Sequence, residues 1–120
     1  MAKLLKIYSY NKCATCRKAI SWLIKNDIEH QLIDIITTPP SENEIRLAIK
    51  QLGEIKYLLN TSGKSYRNIG ANNIKSMSED KIIELMILDG KLIKRPFAAI
   101  SNGRYLVGFN VDLWIENLLN

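Results

Sequence analysis

Two short apolar segments flank one amphipathic segment in the first third of the chain, and this pattern limits the fold more than any other feature. Residues 4–9 and 30–36 are rich in Leu and Ile, which predicts two β-strands. Residues 16–26 predict an amphipathic helix, because apolar side chains recur there at helical spacing. The apolar positions are Ala19, Ile20, Leu23 and Ile24. A strand, a helix and a strand joined by short links predict a βαβ unit with parallel strands.

The middle of the chain carries helix signals. Ser41 with Glu44 forms a capping-box pattern, and Gly53 is a typical helix end. Ser78 predicts the start of another helix, which Asp89-Gly90 ends. Its predicted apolar face consists of Ile82, Leu85 and Met86. Residues 57–70, by contrast, are mixed and polar, and predict no regular element beyond a turn.

The last part of the chain predicts a β-hairpin, with strands at residues 97–100 and 104–109, and a terminal helix that begins at Asn110. Val111, Trp114, Ile115 and Leu118 would form one face of that helix. A βαβ unit, then helices, then a hairpin and a helix predict an α/β fold of the thioredoxin-like (glutaredoxin-like) type. The helices between the two halves of the mixed sheet would form an inserted helical subdomain.

The length and composition indicate one folded domain over residues 1–120. Hydrophobic residues make up 47% of the 120 residues and charged residues 24%, which excludes wholesale disorder. Two domains would each be too small to bury a useful core. We expect a thioredoxin-like core at about residues 1–38 and 90–120, with the helical insertion at about residues 39–89.

Charge and hydropathy patterns bear on location and partners. No apolar run approaches the ~20 residues that span a bilayer, and the N-terminal segment lacks the apolar centre of a signal peptide. We therefore expect a cytoplasmic protein that does not contact membranes. The net charge of +5 is spread along the chain without a block of like charges. This favours a solvated surface over direct nucleic-acid binding, and we expect a monomer.

The chain has two cysteines, Cys13 and Cys16, in a Cys-x-x-Cys pattern. In a reducing compartment such a pair is redox-active or binds a metal. Zinc needs three or four protein ligands, and His30 is the sole histidine, so we expect no metal site. Two buried cysteines that merely lie close together remain an alternative.

The predicted position of Cys13 favours redox chemistry. Cys13 lies in the turn between the first strand and the first helix, where helix N–H groups and the helix dipole stabilise a thiolate. Lys12, Arg17 and Lys18 add positive charge nearby. Cys16 lies one helical turn along and can resolve a mixed disulfide on Cys13, which would leave a redox-active Cys13–Cys16 disulfide.

Arg95-Pro96 is the second candidate feature, because a proline is unfavourable inside a central strand. A cis bond before Pro96 would suit a tight turn, and in a thioredoxin-like fold that turn faces the redox cysteine. Arg95 could then lower the pKa of Cys13 or hold an oxyanion. A trans proline in an edge loop beside a surface arginine is the alternative.

Two more side chains are candidates for substrate binding. Asn11 lies close to Cys13 in sequence and could shape its pocket. Arg67 could help to bind an anion, or could be a surface arginine beside a turn.

An ordered set of short motifs resembles the arsenate reductase/Spx family over nearly the whole chain. The motifs are the segment 13–18, Thr38-Pro39-Pro40, the segment 60–63, Tyr66-Arg67, Asp89-Gly90, the segment 93–96 and the segment 107–109. The resemblance implies a thioredoxin-like fold with an inserted helical subdomain and a cis proline at Pro96.

The family resemblance implies two functions. In the arsenate reductases Cys13 matches the cysteine that attacks arsenate, and Arg95 matches one of the arginines that hold the oxyanion. A second family arginine falls at Asn60, a third in the segment 106–108, and a family histidine is replaced around Ser9-Tyr10. The Spx branch implies a thiol-stress switch that binds the RNA polymerase α subunit.

We therefore expect a thiol-dependent oxidoreductase in which Cys13 attacks, Cys16 resolves and Arg95 stabilises the thiolate or a bound anion. Asn11, Arg17, Arg67 and Pro96 would contact the substrate. The substrate would be a small oxyanion or a disulfide. Glutathione, glutaredoxin or thioredoxin would donate electrons, with no bound cofactor. A redox-sensing regulator of the Spx type is the alternative.

Overall fold

A computed structural model describes residues 4–119, which form four β-strands and six α-helices. In chain order they are β1 (Leu5–Ser9), α1 (Ala14–Lys25), β2 (Gln31–Asp34), α2 (Glu42–Leu52), α3 (Lys64–Ile69), α4 (Ala71–Ser76), α5 (Glu79–Leu88), β3 (Phe97–Ile100), β4 (Tyr105–Val107) and α6 (Val111–Leu118). Short 3-10 helices occupy Ile55–Tyr57 and Gly90–Leu92.

The four strands form one mixed sheet in the order β2-β1-β3-β4. β1 pairs with β2 in parallel, whereas β3 is antiparallel to both β1 and β4. The predicted βαβ unit and C-terminal hairpin are therefore confirmed, and so is the thioredoxin-like mixed α/β fold class. The antiparallel register places Tyr8 of β1 opposite Phe97 of β3.

The described chain divides into two compact units. The first unit consists of two segments of the chain, one that ends at Asp34 and one that begins at Arg95. It contains the whole sheet together with α1 and α6. Its core is a cluster of buried apolar side chains from both helices and three strands. The members are Leu5, Ile7, Ala19, Leu23, Ala98, Ile100, Leu106 and Trp114. The indole N–H of Trp114 donates to the carbonyl of Gly108 at 3.2 Å.

The second unit comprises Ile35–Lys94 and contains α2 to α5. The predicted capping box is present: Ser41 Oγ accepts from the N–H of Glu44, and the Glu44 carboxylate accepts from the N–H of Ser41, both at 3.1 Å. Gly53 ends α2 with φ of 98°, a conformation that favours glycine. The second unit is slightly longer at both ends than the helical insertion expected at residues 39–89. The single-domain organisation stays a prediction.

Two details of the elements differ from the prediction. α3 lies within residues 57–70 and α4 directly after them, and the sequence predicts neither helix, because two six-residue helices separated by Gly70 show too little periodicity to detect. β2 is also shorter than residues 30–36.

Predicted core positions on the helices are partly wrong. Ile24 of α1 is 64% exposed, and Val111 and Ile115 of α6 are also exposed. Each helix packs on the sheet along a single stripe, so an apolar side chain just outside that stripe stays in solvent. In α5, Ile83 is buried whereas the predicted Leu85 is half-buried.

Membrane-spanning helices and metal-binding clusters are both absent from residues 4–119. The helices there are all too short or too polar to cross a bilayer. The same part of the chain holds no group of three or more His, Cys, Asp and Glu side chains able to bind a metal ion.

Candidate active site

Cys13 is the residue that caps the N-terminus of α1, directly after the loop that follows β1. Its N–H donates to the carbonyl of Tyr10 at 3.0 Å, which closes that loop into a tight turn. Its Sγ accepts from the backbone N–H of Cys16 at 3.2 Å. The sulfur therefore takes the capping position that a Ser or Asp oxygen usually fills, and α1 directs its first N–H groups toward it.

The surroundings of Cys13 favour its thiolate. Partial burial raises the pKa of the Cys13 thiol, but hydrogen bonds from the side chain and the backbone of Cys16 oppose that effect. A hydrogen bond from Arg95 and the charge of its guanidinium oppose it further, and the net result is a lowered pKa. Since the residue is only half-buried, this thiolate remains open to a reactant.

Cys16 has the opposite character. It is completely buried, with 0% of its surface exposed. Burial first, and then the hydrogen bond that its thiol gives to Cys13, raise the pKa of Cys16 to about 12. Both cysteines are free thiols in this structure. The pair therefore consists of one accessible, acidic thiol and one sealed, weakly acidic thiol.

Arg95 and Pro96 precede β3, in the same unit as Cys13. The Arg95–Pro96 peptide bond is cis, as the family resemblance implied. Pro96 is buried, and its carbonyl accepts from the N–H of Gly108 at 2.9 Å. Arg95 is half-buried rather than a surface residue of an edge loop, and it is the cation that lowers the pKa of Cys13.

The other predicted binding residues have different surroundings. Arg17 donates from Nη1 to the carbonyl of Asn11 at 2.9 Å, so its guanidinium covers the loop before Cys13, and both residues are exposed. Arg67 belongs to the second unit, where its Nη1 donates to the carbonyl of Ser62 at 2.7 Å. The substrate-binding roles of Asn11, Arg17, Arg67 and Pro96 stay predictions.

Tyr10 is a site residue that the sequence did not reveal. The centre of the Arg95 guanidinium lies 5.3 Å from the centroid of the Tyr10 ring, within the range of a cation–π contact. The two residues are far apart in sequence, and only the pairing of β1 with β3 brings them together. The sequence offered one indication: Tyr10 lies where a histidine of the family pattern is replaced, around Ser9-Tyr10.

A protein-family model matches most of the chain. The model described as the ArsC family matches residues 8–117, which include both cysteines and Arg95-Pro96. The chain belongs to the ArsC family. The family resemblance in the sequence is thus confirmed.

Three curated proteins are similar to most of this chain, and two of them are described as regulators. The protein YusI of Bacillus subtilis is 40% identical over 94% of this chain and 97% of its own length. The regulatory protein MgsR of the same organism is 30% identical over 92% of this chain and 86% of its own. The global transcriptional regulator Spx of Streptococcus pyogenes is 27% identical over 91% and 81%.

Solved structures of ArsC-type proteins share the fold. A structure from Streptococcus mutans, described as a possible arsenate reductase, is 36% identical, with a TM-score of 0.81 over 91% of this chain and 96% of the other. An arsenate reductase from Vibrio cholerae is 26% identical, with a TM-score of 0.78 over 99% and 98%. The proteins similar to this chain thus include some described as enzymes and some described as regulators.

Proposed function

We propose that the protein is a thiol-dependent oxidoreductase in which Cys13 is the nucleophile and Cys16 the resolving thiol. The observation that carries the proposal is the difference between the two thiols. Cys13 is half-exposed and has a lowered pKa, whereas Cys16 is fully buried and its pKa is raised to about 12. A thiolate is the nucleophilic form of cysteine, so attack begins at Cys13.

In the first step the Cys13 thiolate attacks one sulfur of a substrate disulfide. The bond between the two substrate sulfurs breaks, one substrate half leaves as a thiolate and takes up a proton, and the other half stays bound to Cys13 as a mixed disulfide. Arg95 stabilises the negative charge on Cys13 before the attack.

In the second step Cys16 resolves the mixed disulfide. Once Cys13 is bonded to the substrate it carries no negative charge, so the hydrogen bond and the repulsion that raise the pKa of Cys16 are removed. Cys16 then loses its proton, attacks the Cys13 sulfur and releases the second substrate half as a thiol. Two substrate thiols and one Cys13–Cys16 disulfide are the products.

An external dithiol or two monothiols must then reduce the Cys13–Cys16 disulfide by two electrons. Glutathione, glutaredoxin and thioredoxin are the donors that we propose, and the cycle needs no bound cofactor. We place this cycle in the cytoplasm, where such donors keep thiols reduced, and propose that the protein acts as a monomer.

The substrate class follows from the cations around Cys13. Arg95 contacts the nucleophile, and Arg17 covers the adjacent loop. Where family members have a further arginine for the oxyanion, this chain has Asn60. We therefore favour a disulfide over arsenate as the substrate, with Arg17, Asn11 and cis-Pro96 lining the binding site.

Cysteine variants test this proposal. Cys13→Ser should abolish turnover of a model disulfide, because no accessible thiolate remains. Cys16→Ser should stop after the first step and accumulate a mixed disulfide on Cys13, visible by intact-protein mass spectrometry as a mass increase that a reductant removes. Arsenate and a panel of disulfides, each with the three donors, would define the substrate. Equal trapping on both cysteines would refute the assignment of roles.

The regulators among the relatives favour a second candidate function, an Spx-type redox switch that binds the RNA polymerase α subunit. In that case the same thiol pair would oxidise, but the product would be an altered interaction surface. Absence of turnover with every substrate, together with oxidation-dependent binding of purified α subunit that Cys13→Ser abolishes, would replace the enzyme proposal with this one.

A further inference from the structure

The pairing of β1 with β3 determines which residues meet at the end of the sheet near Cys13. Tyr8 pairs with Phe97 in the last matched position of the two antiparallel strands. Continued for two more residues, the same register brings Tyr10 opposite Arg95. Tyr10 is the first residue after β1, and Arg95 lies just before β3.

The side chains of these two residues are in contact. The guanidinium carbon of Arg95 lies 5.3 Å from the Tyr10 ring centroid. A planar guanidinium on the face of an aromatic ring is held by the electrostatic attraction between the cation and the ring, and its rotation is restricted. Both residues are half-buried, which weakens the competition from water for the cation.

Tyr10 is also tied to Cys13 through its backbone. Its carbonyl accepts the N–H of Cys13 at 3.0 Å. Tyr10 therefore contacts the nucleophile Cys13 through its main chain. Through its ring it contacts Arg95, the cation that stabilises the nucleophile. A side-chain substitution removes the second contact and leaves the first in place.

We propose that Tyr10 is a positioning residue, whose ring holds the guanidinium of Arg95 beside the sulfur of Cys13. The inference rests on the proposed function, since it concerns the reactivity of the same thiolate. Tyr10 acts through Arg95 and need not touch the substrate.

The test is the pH profile of Cys13 alkylation by iodoacetamide, followed by peptide mass spectrometry. Tyr10→Leu should move the profile to higher pH and lower the rate at neutral pH about two- to fivefold, because Arg95 loses its support. Tyr10→Phe keeps the ring and should restore the wild-type profile. In a chain that already carries Arg95→Ala, adding Tyr10→Leu should change nothing further.

A matched control is available elsewhere in the chain. Tyr57 makes a similar contact with Lys56, whose Nζ lies 5.3 Å from the ring centroid, and it belongs to the second unit. Tyr57→Leu should leave the Cys13 profile unchanged. Tyr10→Gln gives a second variant without the ring, in case Tyr10→Leu does not fold, and thermal unfolding of every variant checks the fold.

Two outcomes would overturn the inference. In the first, the pH profile of Cys13 alkylation is the same in Tyr10→Leu as in the wild type, although Arg95→Ala shifts that profile. The other is an additional shift from Tyr10→Leu in the Arg95→Ala background. Failure of the proposed function looks different, because turnover of every disulfide would then be absent whatever the alkylation profiles of the Tyr10 variants show.

Discussion

Cys13 and Cys16 carry the same side chain, and their thiols differ because of position alone. Cys13 caps a helix and faces Arg95, whereas Cys16 lies inside the first turn of α1 and is completely buried. The first environment stabilises a negative charge and the second excludes it. The two pKa shifts have opposite signs for this reason, and division of labour between the thiols follows from it.

The pH dependence of alkylation measures this difference directly. Because the pKa of Cys13 is lowered by folding, its thiolate fraction at neutral pH is higher in the native chain than in the unfolded chain. We expect native Cys13 to react severalfold faster at pH 7 than the same cysteine in urea, and the native profile to lie at lower pH. Cys16, with a pKa of about 12, should stay unmodified in the native chain. Coincident native and unfolded profiles would contradict this expectation.

At the scale of elements, side-chain caps determine where the helices of the second unit begin. Ser41 and Glu44 exchange hydrogen bonds at the start of α2, and Ser78 accepts from the N–H of Lys81 at the start of α5. These bonds satisfy N–H groups that the helix itself leaves without partners. Serine is unfavourable inside a helix but stabilising at this position, so local sequence is enough to place both helix starts.

Ser41→Ala tests the contribution of the cap to α2. The variant loses the hydrogen bond to the N–H of Glu44, and we expect the free energy of unfolding to fall by about 1 kcal/mol in urea denaturation. Ser21→Ala is the matched control, because Ser21 is an exposed position in the middle of α1, where alanine is a better helix former. A loss as large in the control would mean that the cap contributes nothing.

At the scale of the whole molecule, close approach of distant segments adds constraints that no local pattern contains. Gly90 follows the end of α5 and is buried against the carbonyl of Ile35, where the second unit begins. A Cβ at position 90 would overlap the Ile35 carbonyl oxygen. Asp89-Gly90 thus has two functions: Asp89 accepts from the N–H of Lys91 at 3.0 Å, and Gly90 leaves room for the backbone of Ile35.

Gly90→Ala should therefore be among the most damaging single substitutions in the second unit. We expect a loss of about 3 kcal/mol in the free energy of unfolding, since the atom that the new Cβ would meet is the backbone oxygen of Ile35, which cannot move aside. Gly53→Ala is the comparison: it has open space around the new Cβ but a φ of 98°, and should lose only about 1 kcal/mol. If the two variants were equally stable, crowding at Gly90 would not be important.

The sequence by itself determined the strand, helix and strand order, the caps at Ser41 and Ser78 and the position of Cys13 before a helix, because these depend on neighbours a few residues away. The tertiary structure decided which apolar side chains are buried, since Ile24 and Ile115 fit the helical pattern but lie outside the packed stripe. It also decided that Tyr10 meets Arg95, because strand register brings together residues that are distant in the chain.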